Sequence, residues 1–338
     1  MEIEKELELK NYLSEKYGMS ILNILPVKNV IKLSTSEGDK CLKRVRYGKG
    51  NFLFILSAMK HLQDRGFNGI IPFIPTISGE MYITLESGFG FLTDWIPSRE
   101  CDYSNPIELK MAARTLAKLH KASENYIEAE GAIPRIEWGK WAQKFIGRIQ
   151  EMHKFKEIIN NKSSLTYFDC MYLDNLDYYI SQGYIAVNHL KESRYLELSQ
   201  REMKKKSFCH HDYAHHNVLI SDDFNVYIID FDYCICDTRI HDLASLIIRN
   251  MRHGNWNTEK AQYIIECYLS EGYLEKDEIP VMSGFIEFPQ DFWQVGLQYY
   301  IEKQKWDESQ FNKRLDNVIK DRSDRQQFID EFKLRVEL

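Results

Sequence analysis

The stretch Cys209-His210-His211-Asp212-Tyr213-Ala214-His215-His216-Asn217-Val218-Leu219-Ile220, followed by Val226-Tyr227-Ile228-Ile229-Asp230-Phe231-Asp232, holds the densest chemistry in this chain. An aspartate, an asparagine five residues on, and a second aspartate thirteen residues beyond at the end of an apolar strand suit phosphoryl transfer from a magnesium-bound nucleotide. Asp212 can accept or orient a hydroxyl proton. The oxygens of Asn217 and Asp230 are hard donors of the kind Mg²⁺ takes beside phosphate oxygens. Taken singly, each has a bland reading as a turn or strand-end residue, and only their order on one loop and one strand makes a signal. His210, His211, His215 and His216 also admit a transition-metal reading, but a loop of this kind splays such side chains apart.

The elements that must position these residues can be read from periodicity. Residues 2 to 17 have the spacing of an amphipathic helix ending at Gly18. Ser20 to Asn29, Val30 to Ser36 and Lys40 to Arg46 read as strands, and a largely buried helix follows at about 51 to 65. Residues 80 to 86 and 90 to 96 form a hairpin around Ser87-Gly88-Phe89-Gly90, which makes five strands and one internal helix. Beyond Pro97 the pattern is helical at 105 to 121, 137 to 159, 165 to 182 and 190 to 205. Short strands return at 218 to 220 and 226 to 229, ahead of helices at about 239 to 252, 257 to 271, 289 to 303 and 308 to 335. Arg201 and Lys204 to Lys206 read as a solvated helix end, where cations favour the helix dipole.

In this setting the loop resembles that of the aminoglycoside phosphotransferase and choline kinase branch of the protein-kinase-like fold. The resemblance implies an α+β, bilobal fold with a five-stranded antiparallel N-lobe and a helical C-lobe, divided as residues 1–96 for the nucleotide and 97–338 for catalysis. It implies Asp212 as catalytic base, Asn217 and Asp230 as ligands of Mg²⁺, and ATP as the nucleotide. It places Lys43 of Cys41-Leu42-Lys43-Arg44 on the α and β phosphates, and Thr93, Asp94 and Trp95 of Phe91-Leu92-Thr93-Asp94-Trp95-Ile96 at the hinge that meets adenine. His210 matches the loop's structural histidine, and Asp242 matches the aspartate that braces the loop. The phrases Cys41-Leu42-Lys43-Arg44, Leu92-Thr93-Asp94-Trp95-Ile96, Arg99-Glu100-Cys101 and Ala117-Lys118-Leu119-His120-Lys121-Ala122-Ser123 further resemble the bacterial spore coat proteins of the CotS family.

Three departures accompany the likeness. Pro26-Val27-Lys28-Asn29 contains no glycine to wrap phosphates, which lowers the expected affinity for ATP. The helix at 51 to 65 has one acid, Asp64, at its very end, so the strand lysine finds no partner there. Ala214 stands where many relatives carry a cation that would steady the transferring phosphoryl group. The first expectation is an ATP- and Mg²⁺-dependent phosphotransferase acting on a hydroxyl-bearing acceptor, a small molecule or a coat component, with other spore coat proteins among its partners. The alternative is a weak or inactive kinase fold serving as a coat scaffold. A third idea, antibiotic modification, fits poorly, because residues 140 to 208 mix several Lys and Arg with the acids that a polycation would need.

Composition narrows the field further. The 338 residues carry 44 Lys plus Arg against 50 Asp plus Glu, a formal charge of −6, which speaks against nucleic-acid or membrane partners. No apolar run approaches the roughly 20 residues of a membrane span, and Met1-Glu2-Ile3-Glu4-Lys5-Glu6 lacks the features of a signal peptide. The expectation is cytoplasmic synthesis, with the spore coat as destination resting on the family likeness. Seven scattered cysteines fit neither a disulfide framework nor a four-cysteine zinc site and read as reduced packing residues.

Overall fold

The computed structural model describes residues 2–335, which form two compact units, each assembled from separate stretches of chain. One unit takes the chain up to Cys101 together with 125–135 and 215–234. The other takes 102–124, 136–214 and the chain from Ile235 onward.

The first unit opens with α1 (Glu2–Tyr17), then β1 (Ile21–Val27), β2 (Val30–Thr35) and β3 (Gly38–Val45), α2 (Lys49–Asp64), β4 (Phe73–Ile74), β5 (Ile83–Leu85), β6 (Gly88–Asp94) and β7 (Ser98–Glu100). The main sheet is antiparallel throughout, in the order β1-β2-β3-β6-β4, with β5 also paired to β6. It therefore has six strands where the sequence pattern suggests five. The addition is β4, whose two residues pair with Leu92 and Thr93 and are too few for an alternation to register. Alternation along β2 and β3 sends Ile31, Leu33 and Leu42 inward with Leu92 and with Leu13 and Tyr17 of α1. Lys43, next to Leu42, must then project from the opposite face. The hairpin tip is tighter than expected, since Leu85 pairs directly with Gly88. Gly88 has φ +120°, and a Cβ there would fall 2.0 Å from the Val45 carbonyl oxygen, so no other residue fits.

Residues 215–234 supply this unit with a single 3-10 turn (His215–Asn217), β8 (Val218–Ser221), β9 (Val226–Ile228) and a second 3-10 turn (Phe231–Tyr233). The antiparallel sheet β7-β8-β9 ties them to Ser98–Glu100, and the Cys101 amide donates to the Val218 carbonyl at 2.8 Å.

The second unit is helical: α3 (Pro106–Ser123), α4 (Trp141–Asn160), α5 (Tyr167–Glu192), α6 (Tyr195–Lys205), α7 (Ile240–Met251), α8 (Thr258–Leu269), α9 (Glu278–Glu287), α10 (Gln290–Tyr300), α11 (Glu308–Lys320) and α12 (Arg322–Arg335). Local signals explain several starts. Asn105 accepts from the Ile107 amide ahead of Pro106, and Thr166 with Asp169 forms a reciprocal capping box. The expected helix over 308 to 335 is two, broken at Asp321, whose carboxylate accepts from the His253 and Gly254 amides and from Trp256 Nε1. The sequence pattern does not suggest α9, because Pro280 and Gly284 read as breakers. Pro280 in fact lies in the first turn, where no intrahelical amide bond is lost. Stacked rings fill the core, Tyr172 on Phe292 at 4.3 Å and Phe168 on Tyr172 at 5.8 Å between centroids. Among the described residues no helix is long and apolar enough to cross a membrane.

Candidate active site

The β8–β9 hairpin holds Asn217 and Asp230 at one end of its ladder. Val218 pairs with Ile228, and the Ile229 amide donates to the Asn217 carbonyl at 3.0 Å, so the two expected metal ligands flank the same pair of strands. Asn217 is buried. Asp230 adopts φ 63°, ψ 61°, a left-handed conformation that costs a non-glycine residue about 1–2 kcal/mol and is typical of functional turns. The chain then winds through the 3-10 turn, and Lys43 Nζ meets two carboxylates, Asp230 Oδ1 at 2.8 Å and Asp232 Oδ2 at 3.0 Å.

Asp232 is the part that sequence reasoning misses, although its i, i+2 spacing from Asp230 is visible in the chain. Tyr47 donates to its Oδ1 at 3.2 Å, and Arg135 donates to its backbone carbonyl at 2.6 Å. Burial pulls the Lys43 pKa down, but Asp232 and Asp230 outweigh it and hold the ammonium above its usual value. Burial, with the like charge of Asp230 behind it, lifts the Asp232 carboxyl against the pull of Lys43. As the sequence indicates, α2 supplies no partner for the lysine, and its terminal Asp64 pairs with Lys60 instead. The counter-charge comes from the hairpin. Asn217, Asp230 and Asp232 together offer hard oxygens that fit a magnesium ion.

The segment bearing Asp212 belongs to the second unit, and the unit boundary falls between Ala214 and His215. Asp242, in the first turn of α7 and fully buried, braces it: Oδ2 accepts from the His210 amide at 2.8 Å and Oδ1 from the His211 amide at 2.9 Å. His241 Nδ1 lies 3.1 Å from Oδ1. His120 Nε2 lies 3.4 Å from Oδ2, and its Nδ1 is 2.8 Å from the Tyr268 hydroxyl. Burial alone would raise the Asp242 carboxyl, but the bonds from His120 and His241 hold it well below the usual range. The Asp212 amide donates to His210 Nδ1 at 3.3 Å, and the buried Tyr213 hydroxyl donates to the Ala112 carbonyl at 2.8 Å. His211 takes φ 69° and stacks on His241 at 4.0 Å; burial, with His241 beside it, drives its pKa well below the ordinary value.

Arg249 adds a contact that the motif does not include. Its Nη2 donates to Asp212 Oδ1 at 2.7 Å, and its Nε to Ser245 Oγ at 3.3 Å. Seven residues, two helical turns, separate it from Asp242, so both residues face the same loop, and that spacing is present in the sequence.

Of the expected hinge residues, Thr93 and Asp94 end β6 and Trp95 follows it. Thr93 is buried opposite Cys41, Asp94 accepts from Lys40 Nζ at 2.7 Å, and the Trp95 amide donates to the Asp39 carbonyl at 3.0 Å. The Lys32 ammonium lies 5.1 Å from the Trp95 ring centroid, which makes this tryptophan a cation–π partner as well as a packing residue. Side chains able to hold a metal ion come together within the second unit. Among the described residues the group with that potential is His120, Cys209 and Asp242, and there Cys209 Sγ lies 3.2 Å from the Thr238 carbonyl while Asp242 is occupied by backbone amides.

A family model described as "Spore coat putative kinase YutH" matches residues 10–332. Spore coat protein S of Bacillus subtilis (strain 168) is 23% identical over 305 residues, 90% of this chain and 86% of that protein. An aminoglycoside phosphotransferase from Alicyclobacillus acidocaldarius superposes with a TM-score of 0.81 at 20% identity, covering 95% of this chain and 94% of its own. Spectinomycin phosphotransferase, solved with ADP and spectinomycin, follows at a TM-score of 0.66 and 17% identity, with 97% and 98% covered. The structural likenesses establish the protein-kinase-like fold. Since the family model spans nearly the whole chain, the protein belongs to the YutH family of spore coat kinase-like proteins.

Proposed function

We propose that the chain is an ATP- and Mg²⁺-dependent phosphotransferase that phosphorylates a hydroxyl-bearing acceptor and works at the spore coat. The observation that carries the reading is Lys43 Nζ shared by Asp230 and Asp232 on the hairpin that also holds Asn217. In this reading residues 1–96 serve the nucleotide and 97–338 the transfer. Lys43 contacts the α and β phosphates, and the backbone of Thr93, Asp94 and Trp95 meets the adenine. Asn217 and Asp230 hold the magnesium ion, with Asp232 beside them; when bound, the ion neutralises charge on the phosphate oxygens.

Asp212 receives the acceptor's hydroxyl proton as the new O–P bond forms and the bond from the γ-phosphorus to the bridging oxygen of ADP breaks. Asp242 keeps the loop in place through the His210 and His211 amides, so Asp212 does not have to be organised during the reaction. Arg249 fixes the orientation of its carboxylate.

Calorimetric titration with Mg·ATP tests the nucleotide half of the reading: saturable binding is expected, and Asp230→Asn should abolish it. Asp212→Asn tests the other half, with Mg·ATP affinity retained and phosphoryl transfer reduced by about 10²–10⁴-fold. Absence of binding at millimolar nucleotide would favour a coat scaffold that keeps only the fold.

A further inference from the structure

Arg135 ends the stretch 125–135, which belongs to the first unit although the chain on either side of it belongs to the second. The stretch is seated on the first turn of α2. There the Ile133 amide donates to the Gly50 carbonyl at 2.9 Å, and a Cβ on Gly50 would lie 2.5 Å from Ile133 Cδ1. Glycine at that position is what lets the isoleucine settle. Pro134 restricts the backbone between this anchor and Arg135.

The guanidinium reaches the hairpin that carries the proposed metal ligands. Its Nη2 donates to the Asp232 carbonyl at 2.6 Å, while the Asp232 carboxylate meets Lys43 and Tyr47. Burial and Asp232 raise the pKa of the Tyr47 phenol, and the charge of Arg135 opposes them, so the guanidinium lies within electrostatic reach of that hydroxyl. Lys43 is shared by two carboxylates, whereas Arg135, among the described residues, bonds only to this neutral carbonyl. Its Nε is enclosed and unbonded. Nη1 is neither bonded nor enclosed, so an anion can reach it.

The turn between β1 and β2 offers a phosphate chain little help: it contains no glycine, and its Lys28 pairs with Glu100 at 2.6 Å. In the transferase reading Lys43 serves the α and β phosphates, and the terminal phosphate has the metal ion. Charge spreads over the oxygens of that group during transfer, and the planar fork of an arginine matches such oxygens.

We propose that Arg135 is a catalytic residue of the transfer, its Nη1 meeting the terminal phosphate of bound Mg·ATP while Nη2 stays on the Asp232 carbonyl. The proposal rests on the transferase reading and deepens it. Arg135 forms no covalent bond and moves no proton. It neutralises charge on the phosphoryl oxygens as the bond to the bridging oxygen of ADP breaks.

The test is calorimetric titration of the full chain and of Arg135→Gln with Mg·ATP and with Mg·ADP, read as binding without turnover. Affinity for Mg·ATP should fall about tenfold and affinity for Mg·ADP less than about twofold, as expected for one charge-assisted contact to the terminal phosphate. Arg135→Lys keeps the charge but loses the fork, and should weaken Mg·ATP by about threefold with Mg·ADP unchanged. Equal weakening of both nucleotides would make Arg135 a support of the Asp232 turn and overturn the proposal, as would affinities that neither substitution changes. If Arg135→Gln fails to fold, Arg135→Lys carries the same comparison, with selective loss expected and equal or no loss overturning it. A parent chain that binds no Mg·ATP overturns the transferase reading and this proposal with it. A parent chain that binds Mg·ATP and loses it in Asp230→Asn, beside an unchanged Arg135→Gln, overturns this proposal alone.

Discussion

Asp230 and Asp242 stand twelve residues apart, in different units, and their surroundings are built in opposite ways. Asp242 is sealed from solvent and dressed by two backbone amides and two imidazoles, so its charge is compensated by groups that cannot leave without unfolding the loop. Asp230 is half-buried, sits in a left-handed turn, and is met by the ammonium at the end of a long lysine side chain that it shares with Asp232. Lysine can swing to a phosphate, whereas a backbone amide cannot move away. In the proposed reading the Asp242 carboxylate is structural and the Asp230 carboxylate exchangeable, and the local donor set makes the difference, since both residues are aspartates.

Truncation separates the two most directly. Asp242→Ala should lose about 3–5 kcal/mol of stability in urea unfolding, because it strands two buried amides and two histidines. Asp230→Ala should cost under about 1 kcal/mol while removing Mg·ATP binding. Equal losses would erase the distinction.

Asp237 supplies a third case. It is as buried as Asp242 but is held, among the described residues, by Trp141 Nε1 at 2.8 Å and the Thr238 amide at 2.7 Å. Burial lifts its carboxyl to about 6. The folded state then binds more protons than the unfolded chain between about pH 4 and 6, so this group's contribution is fully present below that window and about 3 kcal/mol is lost as pH rises through it. Asp237→Asn should abolish that slope in unfolding measured from pH 4 to 7, and an unchanged slope would assign it to other groups.

A lesser change is expected at Lys43. In Lys43→Met, Asp230 and Asp232 face each other without a cation, which should cost about 1–2 kcal/mol. Millimolar Mg²⁺ should restore more stability to the variant than to the parent chain in thermal unfolding. Identical responses to Mg²⁺ would mean that the two carboxylates do not form a cation site.

The long periodic elements are legible in the chain itself, because an apolar stripe at 3.6 or 2.0 residues reports its own geometry. The additional strand β4 has two residues, and α9 carries a proline and a glycine, so local pattern reveals neither. The site divides in the same way. Asp212, Asn217, Asp230 and Asp242 stand out because residue type and spacing along one segment carry the signal. Partnerships across long sequence separations, such as Lys43 with Asp232 or Arg249 with Asp212, leave no local trace, though the Asp242 to Arg249 interval hints at the second.

Residue order along the chain is enough for the α+β architecture, the candidate loop and the family, because periodicity and ordered motifs are properties of neighbours in sequence. Which carboxylate is braced and which is held by a lysine are settled by folding alone. Lys43 and Asp230 lie 187 residues apart in the chain, Arg249 and Asp212 lie 37 apart, and each pair meets only in three dimensions.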